Sequence, residues 1–221
     1  MKSAFLITFL ATTFLLHSCK TETESTDESK PNIVYILADD LGYGDVSKLN
    51  SNSKINTPNI DRLSEEGMTF IDAHSNSSVC TPTRYGILTG QYAWRSRVKK
   101  GVLLGYSPSL IEETTATVAK FLQNEGYKTA CIGKWHLGID WKLKDGSYHA
   151  GEPGIDFTRE LIAFNDHEKI DFSQPAKGGP KGAGFDYSYI LPASLDFEPY
   201  MYLENNQTVE APTDTTAGSA L

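Results

Sequence analysis

The first strong pattern along the chain is a continuous apolar, β-rich run, Asn32-Ile33-Val34-Tyr35-Ile36-Leu37-Ala38. Lacking polar alternation, it predicts a strand buried on both faces. It ends in Asp39-Asp40 and a glycine-punctuated loop, Leu41-Gly42-Tyr43-Gly44-Asp45. Thr57-Pro58-Asn59-Ile60-Asp61-Arg62-Leu63 predicts a helix: Thr57 can cap it, Pro58 suits its first turn, and Gly67 stops it. Residues 68–73 predict a short strand. A helix is expected to start at Cys80, with Pro82 acceptable in its first turn. Thr114 or Thr115 can cap a further helix whose apolar stripe is Val118, Phe121 and Leu122, with Gly126 ending it. Residues 127–132 predict the next strand, followed by Gly133-Lys134-Trp135-His136-Leu137-Gly138. The chain is then loop-rich to Gly184, and residues 185–191 and 199–203 predict later strands. Glu204-Asn205-Asn206-Gln207 reads as a hairpin turn. Strand–helix–strand alternation implies an α/β fold: a largely parallel central sheet flanked by helices. The final APTDTTAGSAL does not read as the end of a domain, so the fold is expected to be incomplete at the C-terminus.

Composition changes the picture at the N-terminus. The chain has 221 residues and a net charge of −8. That balance argues against nucleic acid as a partner, which would need clustered Lys and Arg. The three cysteines, Cys19, Cys80 and Cys131, are too few and too scattered for a disulfide framework. Met1-Lys2 precedes an apolar run over residues 4–16, too short to span a bilayer but suited to a signal-peptide core. Leu16-His17-Ser18-Cys19 resembles a bacterial lipobox. The resemblance implies a lipoprotein signal peptide over residues 1–18, lipidation of Cys19, and a membrane anchor. Residues 19–30, rich in Ser, Thr, Glu and Asp, predict a disordered acidic tether similar to those of surface lipoproteins in Bacteroidetes-type bacteria. The expected location is that of an exported bacterial lipoprotein, at the outer membrane or cell surface or in the periplasm. The folded part begins at Pro31 and runs over residues 31–221.

In open α/β sheets, ligands sit beyond the carboxyl ends of the strands. Three polar groups fall there. Asp39-Asp40 sets two like charges side by side, which a cation would relieve, and hard oxygens favour Ca²⁺ or Mg²⁺. A solvated turn is the other reading. Cys80 sits at a helix start, where free amides and the dipole favour anions, and Arg84 one turn on can face the same way. A small buried hydrophobe is the alternative for the cysteine. Lys134 and His136 are two apart, so an extended segment would point both to one side. Lysine supplies a point charge for an oxyanion, and histidine can move a proton near neutral pH.

Cys80-Thr81-Pro82-Thr83-Arg84, followed by Tyr85-Gly86-Ile87-Leu88-Thr89-Gly90, closely resembles the C-x-P-x-R signature of type I sulfatases, members of the alkaline phosphatase superfamily. The strand ending in Asp39-Asp40 resembles the opening motif of that family, and Gly133 to Gly138 its second signature. The resemblance implies that Cys80 is oxidised to formylglycine by a formylglycine-generating or anaerobic sulfatase-maturing enzyme. It implies a hydrated aldehyde at position 80, one hydroxyl attacking sulfur and the other releasing sulfate. Asp39, Asp40 and residue 80 would bind the metal, Ca²⁺ before Mg²⁺. Arg84 would hold the diol, Lys134 would contact diol and sulfate, and His136 would take the diol proton. The implied activity is hydrolysis of sulfate esters, with a sulfated polysaccharide as the expected substrate. The alternatives are a phosphonate or phosphodiester hydrolase of the same superfamily and an inactive glycan-binding lipoprotein.

The pattern is incomplete. Pro192-Ala193-Ser194-Leu195-Asp196 stands where many members carry a leaving-group histidine, and Leu195 occupies that position, with Asp196 beside it. The family's later metal ligands and second lysine do not fall within the chain. Asn165-Asp166-His167 reads as a solvated loop, His74 as a packing or capping residue, and Cys131 as a buried strand residue. His149 has no motif around it. Trp94-Arg95-Ser96-Arg97-Val98-Lys99-Lys100 is either a grip for an anionic glycan or a solvated basic loop.

Overall fold

The computed structural model describes residues 29–149 and 167–214, in two units, Met1–Leu41 and Gly42–Leu221. The signal-peptide and Cys19 expectations, most of the tether, Asn165 and Asp166 lie outside the described residues.

In the first unit, residues 32–38 take no part in a sheet ladder. The apolar run is exposed, with Val34 and Ile36 each 80% accessible, which corrects the buried strand expected there. Composition makes a segment suited to a sheet, but a strand exists only when its amides and carbonyls find a neighbour.

The second unit opens with a 3₁₀ turn, Tyr43–Asp45, and then α1, Pro58–Glu66. Thr57 precedes α1 but makes no capping bond. Its hydroxyl joins Ser47 and Asp61 instead, at 2.9 Å each. Residues 68–73 form no strand, and Met68, Phe70 and Ile71 are exposed. Helix α2, Cys80–Thr89, follows, closed by Gly90 in the left-handed conformation. Helix α3, Val118–Asn124, is capped by Thr117, whose Oγ1 accepts from the Lys120 amide at 3.2 Å. The cap is therefore neither Thr114 nor Thr115. Its buried residue is Ala119, while Val118 and Phe121 are exposed and Leu122 is half-buried. The helix thus meets the body of the unit with Ala119 and not with the bulky stripe. Gly126 terminates it with φ +84, the Tyr127 amide reaching the Leu122 carbonyl and the Gly126 amide that of Gln123.

Strand β1, Ala130–Lys134, is followed by the two-residue hairpin strands β2, Trp141–Lys142, and β3, Tyr148–His149. The short α4, Gly179–Gly182, leads to β4, Tyr187–Leu191, and to β5, Leu203–Glu204, and β6, Gln207–Thr208. The main sheet has the order β1-β4-β5-β6. Strand β1 runs parallel to β4, while β4 pairs antiparallel with β5 and β5 antiparallel with β6. Among the described residues the sheet joins the parallel β1–β4 pair of the expected α/β fold to an antiparallel extension, β5 and β6. Asn205 and Asn206 both adopt positive φ, the backbone of a primed two-residue hairpin, so β6 folds straight back on β5.

The β1–β4 register is set before either strand begins. The Thr129 amide donates to Asp186 Oδ2 at 2.8 Å, and the Asp186 amide donates to Thr129 Oγ1 at 3.1 Å. Pairing also continues past the strand ends, with Trp135 and His136 amides donating to the Leu191 and Pro192 carbonyls, 2.9 Å each. Leu103, Trp135, Leu137, Ile139, Trp141, Ile190 and Leu203 are core residues of one buried cluster. Gly138, at φ +74, lets this core close: a Cβ there would lie 2.1 Å from the Pro108 carbonyl oxygen. The sheet's parallel end therefore delivers the 134–138 segment into the core beside α2.

Candidate active site

Helix α2 starts at Cys80, after Val79 in extended conformation and without a side-chain cap. Its first turn thus presents the cysteine with no capping hydroxyl or carboxylate competing for the same place. From the end of β1, Lys134 reaches across and its Nζ donates to Cys80 Sγ at 3.0 Å. Arg84, one turn along α2, donates from Nη1 to the Lys134 carbonyl at 2.5 Å. Two cationic side chains therefore flank the cysteine, one touching the sulfur and one holding the backbone of the other. Such a place suits an anionic oxygen on residue 80 or on a group bound to it.

His136 is buried. The segment is not extended through it, as its φ of +55 shows, so Lys134 and His136 do not share a side by strand alternation. Left-handed backbone is costly for a side chain larger than glycine and persists only when the surroundings enforce it. The enforcing contacts are visible. The His136 carbonyl accepts from Thr81 Oγ1 at 2.9 Å, and its Nε2 lies 2.7 Å from the Leu103 carbonyl. A carbonyl can only accept, so Nε2 carries the proton and Nδ1 is the basic nitrogen of the neutral ring. Phe197 packs on the ring, with centroids 5.7 Å apart.

The 192–197 loop thus adjoins His136, but its polar groups are engaged with each other. Ser194 Oγ donates to Asp196 Oδ2 at 2.7 Å and accepts from the Asp196 amide at 3.0 Å. Leu195 is 80% exposed. Cys131, on β1, is half-buried, and burial pushes its thiol up to about 11 against the opposing pull of Arg84. A thiol so far from ionising is a packing residue.

Asp39 and Asp40 belong to the first unit, Asp40 with φ +57. Their carboxylates are hard-oxygen donors of the kind Ca²⁺ and Mg²⁺ take, but Ca²⁺ requires six to eight ligands. Two adjacent aspartates supply part of such a shell. Among the described residues, no group of three or more His, Cys, Asp or Glu side chains is placed to hold a metal.

Other candidates separate from this centre. His74 is exposed and pairs with Asp72 at 2.8 Å. Arg97, in the basic cluster, is an internal tie: it donates to the Ser109 carbonyl at 2.8 Å and the Pro108 carbonyl at 2.6 Å. Lys99 donates to the Trp94 carbonyl at 2.7 Å. Tyr92 and Trp94 stack with centroids 5.8 Å apart. His149 sits in β3, where burial lowers its pKa, with Arg97 adding to the effect. His167 opens a 3₁₀ turn. Thr81, Leu103 and Phe197 are the contacts that composition and motif did not bring forward. A threonine beside the helix start was a visible signal for Thr81. The sequence offers none for Leu103 or Phe197.

The fold agrees with that of known proteins. The sulfatase family model matches residues 31–197, and the chain belongs to the sulfatase family. It is 35% identical over 198 residues to an N-acetylgalactosamine-6-O-sulfatase of Bacteroides thetaiotaomicron, covering 88% of this chain and 34% of that protein. It is 41% identical over 197 residues to human arylsulfatase G, covering 87% of this chain and 36% of the relative. A structure solved in work on glycosaminoglycan metabolism by Bacteroides thetaiotaomicron superposes with a TM-score of 0.64 at 36% identity, covering 81% of this chain and 32% of its own. The chain thus spans about a third of the length of these relatives. Its architecture is the N-terminal part of the α/β, alkaline phosphatase-like sulfatase fold.

Proposed function

We propose that the protein carrying this chain hydrolyses sulfate esters of a sulfated saccharide, with residue 80 as nucleophile. The observation that carries the reading is the Lys134 ammonium 3.0 Å from the sulfur of the signature cysteine, with Arg84 bonded to the carbonyl of the same lysine. The substrate class rests on the relatives, one named for N-acetylgalactosamine-6-O-sulfate and one solved for glycosaminoglycan metabolism.

Oxidised to formylglycine by a maturing enzyme, residue 80 would supply a hydrated aldehyde, a nucleophile that can shed sulfate without water attacking the ester. Asp39, Asp40 and residue 80 would hold a divalent cation, which when bound draws charge from a sulfate oxygen. The chain's own side chains divide the remaining work. Lys134 puts a fixed positive charge where negative charge gathers, in a half-buried place where screening is weakened. Arg84 keeps the Lys134 backbone in position. His136, with Nε2 committed to the Leu103 carbonyl, has Nδ1 as the atom that receives a proton.

Cys80→Ala in the full-length protein is expected to abolish sulfate release from an aryl sulfate while leaving the fold intact. Mass spectrometry of the wild-type peptide around residue 80, produced in a host competent for the oxidation, should show the thiol-to-aldehyde change. Equal sulfate release by mutant and wild type would remove residue 80 from the chemistry. Faster phosphate than sulfate release from matched aryl esters would reassign the protein within its superfamily.

A further inference from the structure

The Thr81 hydroxyl lies at the meeting point of three segments far apart in sequence. It is fully buried. Its Oγ1 donates to the His136 carbonyl at 2.9 Å and accepts from the Leu103 amide at 3.1 Å. The His136 ring returns to the same residue, Nε2 donating to the Leu103 carbonyl at 2.7 Å. The three bonds close a circuit: Thr81 to His136, His136 to Leu103, Leu103 to Thr81. A hydroxyl has one proton and two lone pairs, so the two bonds it makes have only one consistent direction. The circuit joins the first turn of α2, the 103–105 segment and the turn after β1, and it includes the residue next to Cys80.

We infer that Thr81 is a positioning residue, whose hydroxyl sets the left-handed backbone and the ring tautomer of His136 relative to residue 80. The inference rests on the reading of residue 80 and His136 as reacting groups, and it adds a buried residue whose hydroxyl bonds only to backbone groups of the fold. The physical logic is that of a strained backbone held by over-determination. His136 has φ +55, and within the core its carbonyl accepts the Thr81 proton, a bond whose loss removes one of the contacts enforcing that conformation. Leu103, fully buried, would lose the acceptor for its amide in the same event. Freed from the circuit, the turn would relax toward right-handed backbone, and the ring would leave the Leu103 carbonyl. Lys134, two residues earlier, is anchored separately by Arg84, so its contact with Cys80 should persist. The predicted defect is therefore selective: proton transfer suffers more than binding of the anion.

The test uses three forms of the full-length protein, wild type, Thr81→Ser and Thr81→Val, with residue 80 oxidation quantified by mass spectrometry and rates expressed per oxidised site. Thr81→Val keeps the shape and removes both bonds, whereas Thr81→Ser keeps the hydroxyl. With an aryl sulfate, Thr81→Val should lower kcat by about 10- to 100-fold with little change in KM, and should displace the pH–rate limb assigned to His136. Thr81→Ser should restore both. A Thr81→Val enzyme with wild-type kcat and pH profile per oxidised site would overturn the inference, as would a Thr81→Ser enzyme no better than Thr81→Val. Long-range nitrogen–proton NMR of the histidines supplies a measurement independent of turnover and of the variants' stability. Wild-type His136 should report the Nε2–H tautomer, and an Nδ1–H tautomer would refute the circuit even in an inactive protein. Absence of sulfatase activity with the Nε2–H tautomer intact would instead defeat the proposed function and leave the circuit standing.

Discussion

Lys134 and Cys80 illustrate how much a single contact depends on its surroundings. A lysine is a mobile point charge on a long stem, and its ammonium contributes to catalysis only if the stem is held. Here the main chain of Lys134 is gripped by Arg84 while its Nζ reaches Sγ at 3.0 Å. His149 shows the opposite case, a titratable group that burial places in the fold rather than in the chemistry. Burial, and then Arg97, disfavours its charged form and lowers its pKa. Below the ordinary imidazole range the unfolded chain therefore binds a proton that the folded chain resists. The stability this represents is present at neutral pH and is lost as pH falls through that range. In urea unfolding, wild type should lose more stability than His149→Gln between neutral and mildly acidic pH. Equal losses would show that His149 titrates alike in both states.

At the scale of the element, the sequence was a good guide to where helices begin and end when the signal is steric. Pro58 fixes the start of α1, and Gly90 and Gly126 stop α2 and α3 because both adopt positive φ. It was a poor guide where several residues of the same chemistry compete. Three threonines precede α3, and the one used is Thr117, because only it also reaches the Ala183 carbonyl, at 2.5 Å. Thr117→Ala should cost about 2 kcal/mol of stability through the lost cap and the stranded carbonyl. Thr114→Ala and Thr115→Ala should each stay within about 0.5 kcal/mol. Chemical denaturation of the three variants decides between them. Strands were the weakest reading. Residues 32–38 and 68–73 have strand composition yet no ladder, because pairing is a property of two segments and composition belongs to one.

For the whole molecule, the groups proposed for the chemistry are divided between the two units. Cys80, Arg84, Lys134 and His136 belong to one unit, the first three joined by hydrogen bonds and His136 bonded to Thr81, while Asp39 and Asp40 belong to the other unit. With two carboxylates, the metal proposal calls for further ligands from the rest of the protein. Exhaustive chelation should therefore inhibit the full-length enzyme, and added Ca²⁺ should restore it. Unchanged turnover after verified metal removal would take Asp39 and Asp40 out of the mechanism. The size of the relatives bears on the same point, since the chain spans about a third of their length.

What the sequence by itself determined is the chemistry available: a cysteine at a helix start with an arginine one turn on, a lysine and histidine after a strand, and the family to which these motifs belong. Residue type and spacing are local, and local sterics and charge carry them. What only the tertiary structure decided is which of those groups meet and in what state. The left-handed turn at His136, the proton on its Nε2 and the buried hydroxyl of Thr81 all depend on Leu103, a residue with no chemical mark in the sequence. Its contribution is a backbone amide and carbonyl, groups that every position other than proline carries, so only their placement by the packed core makes them specific.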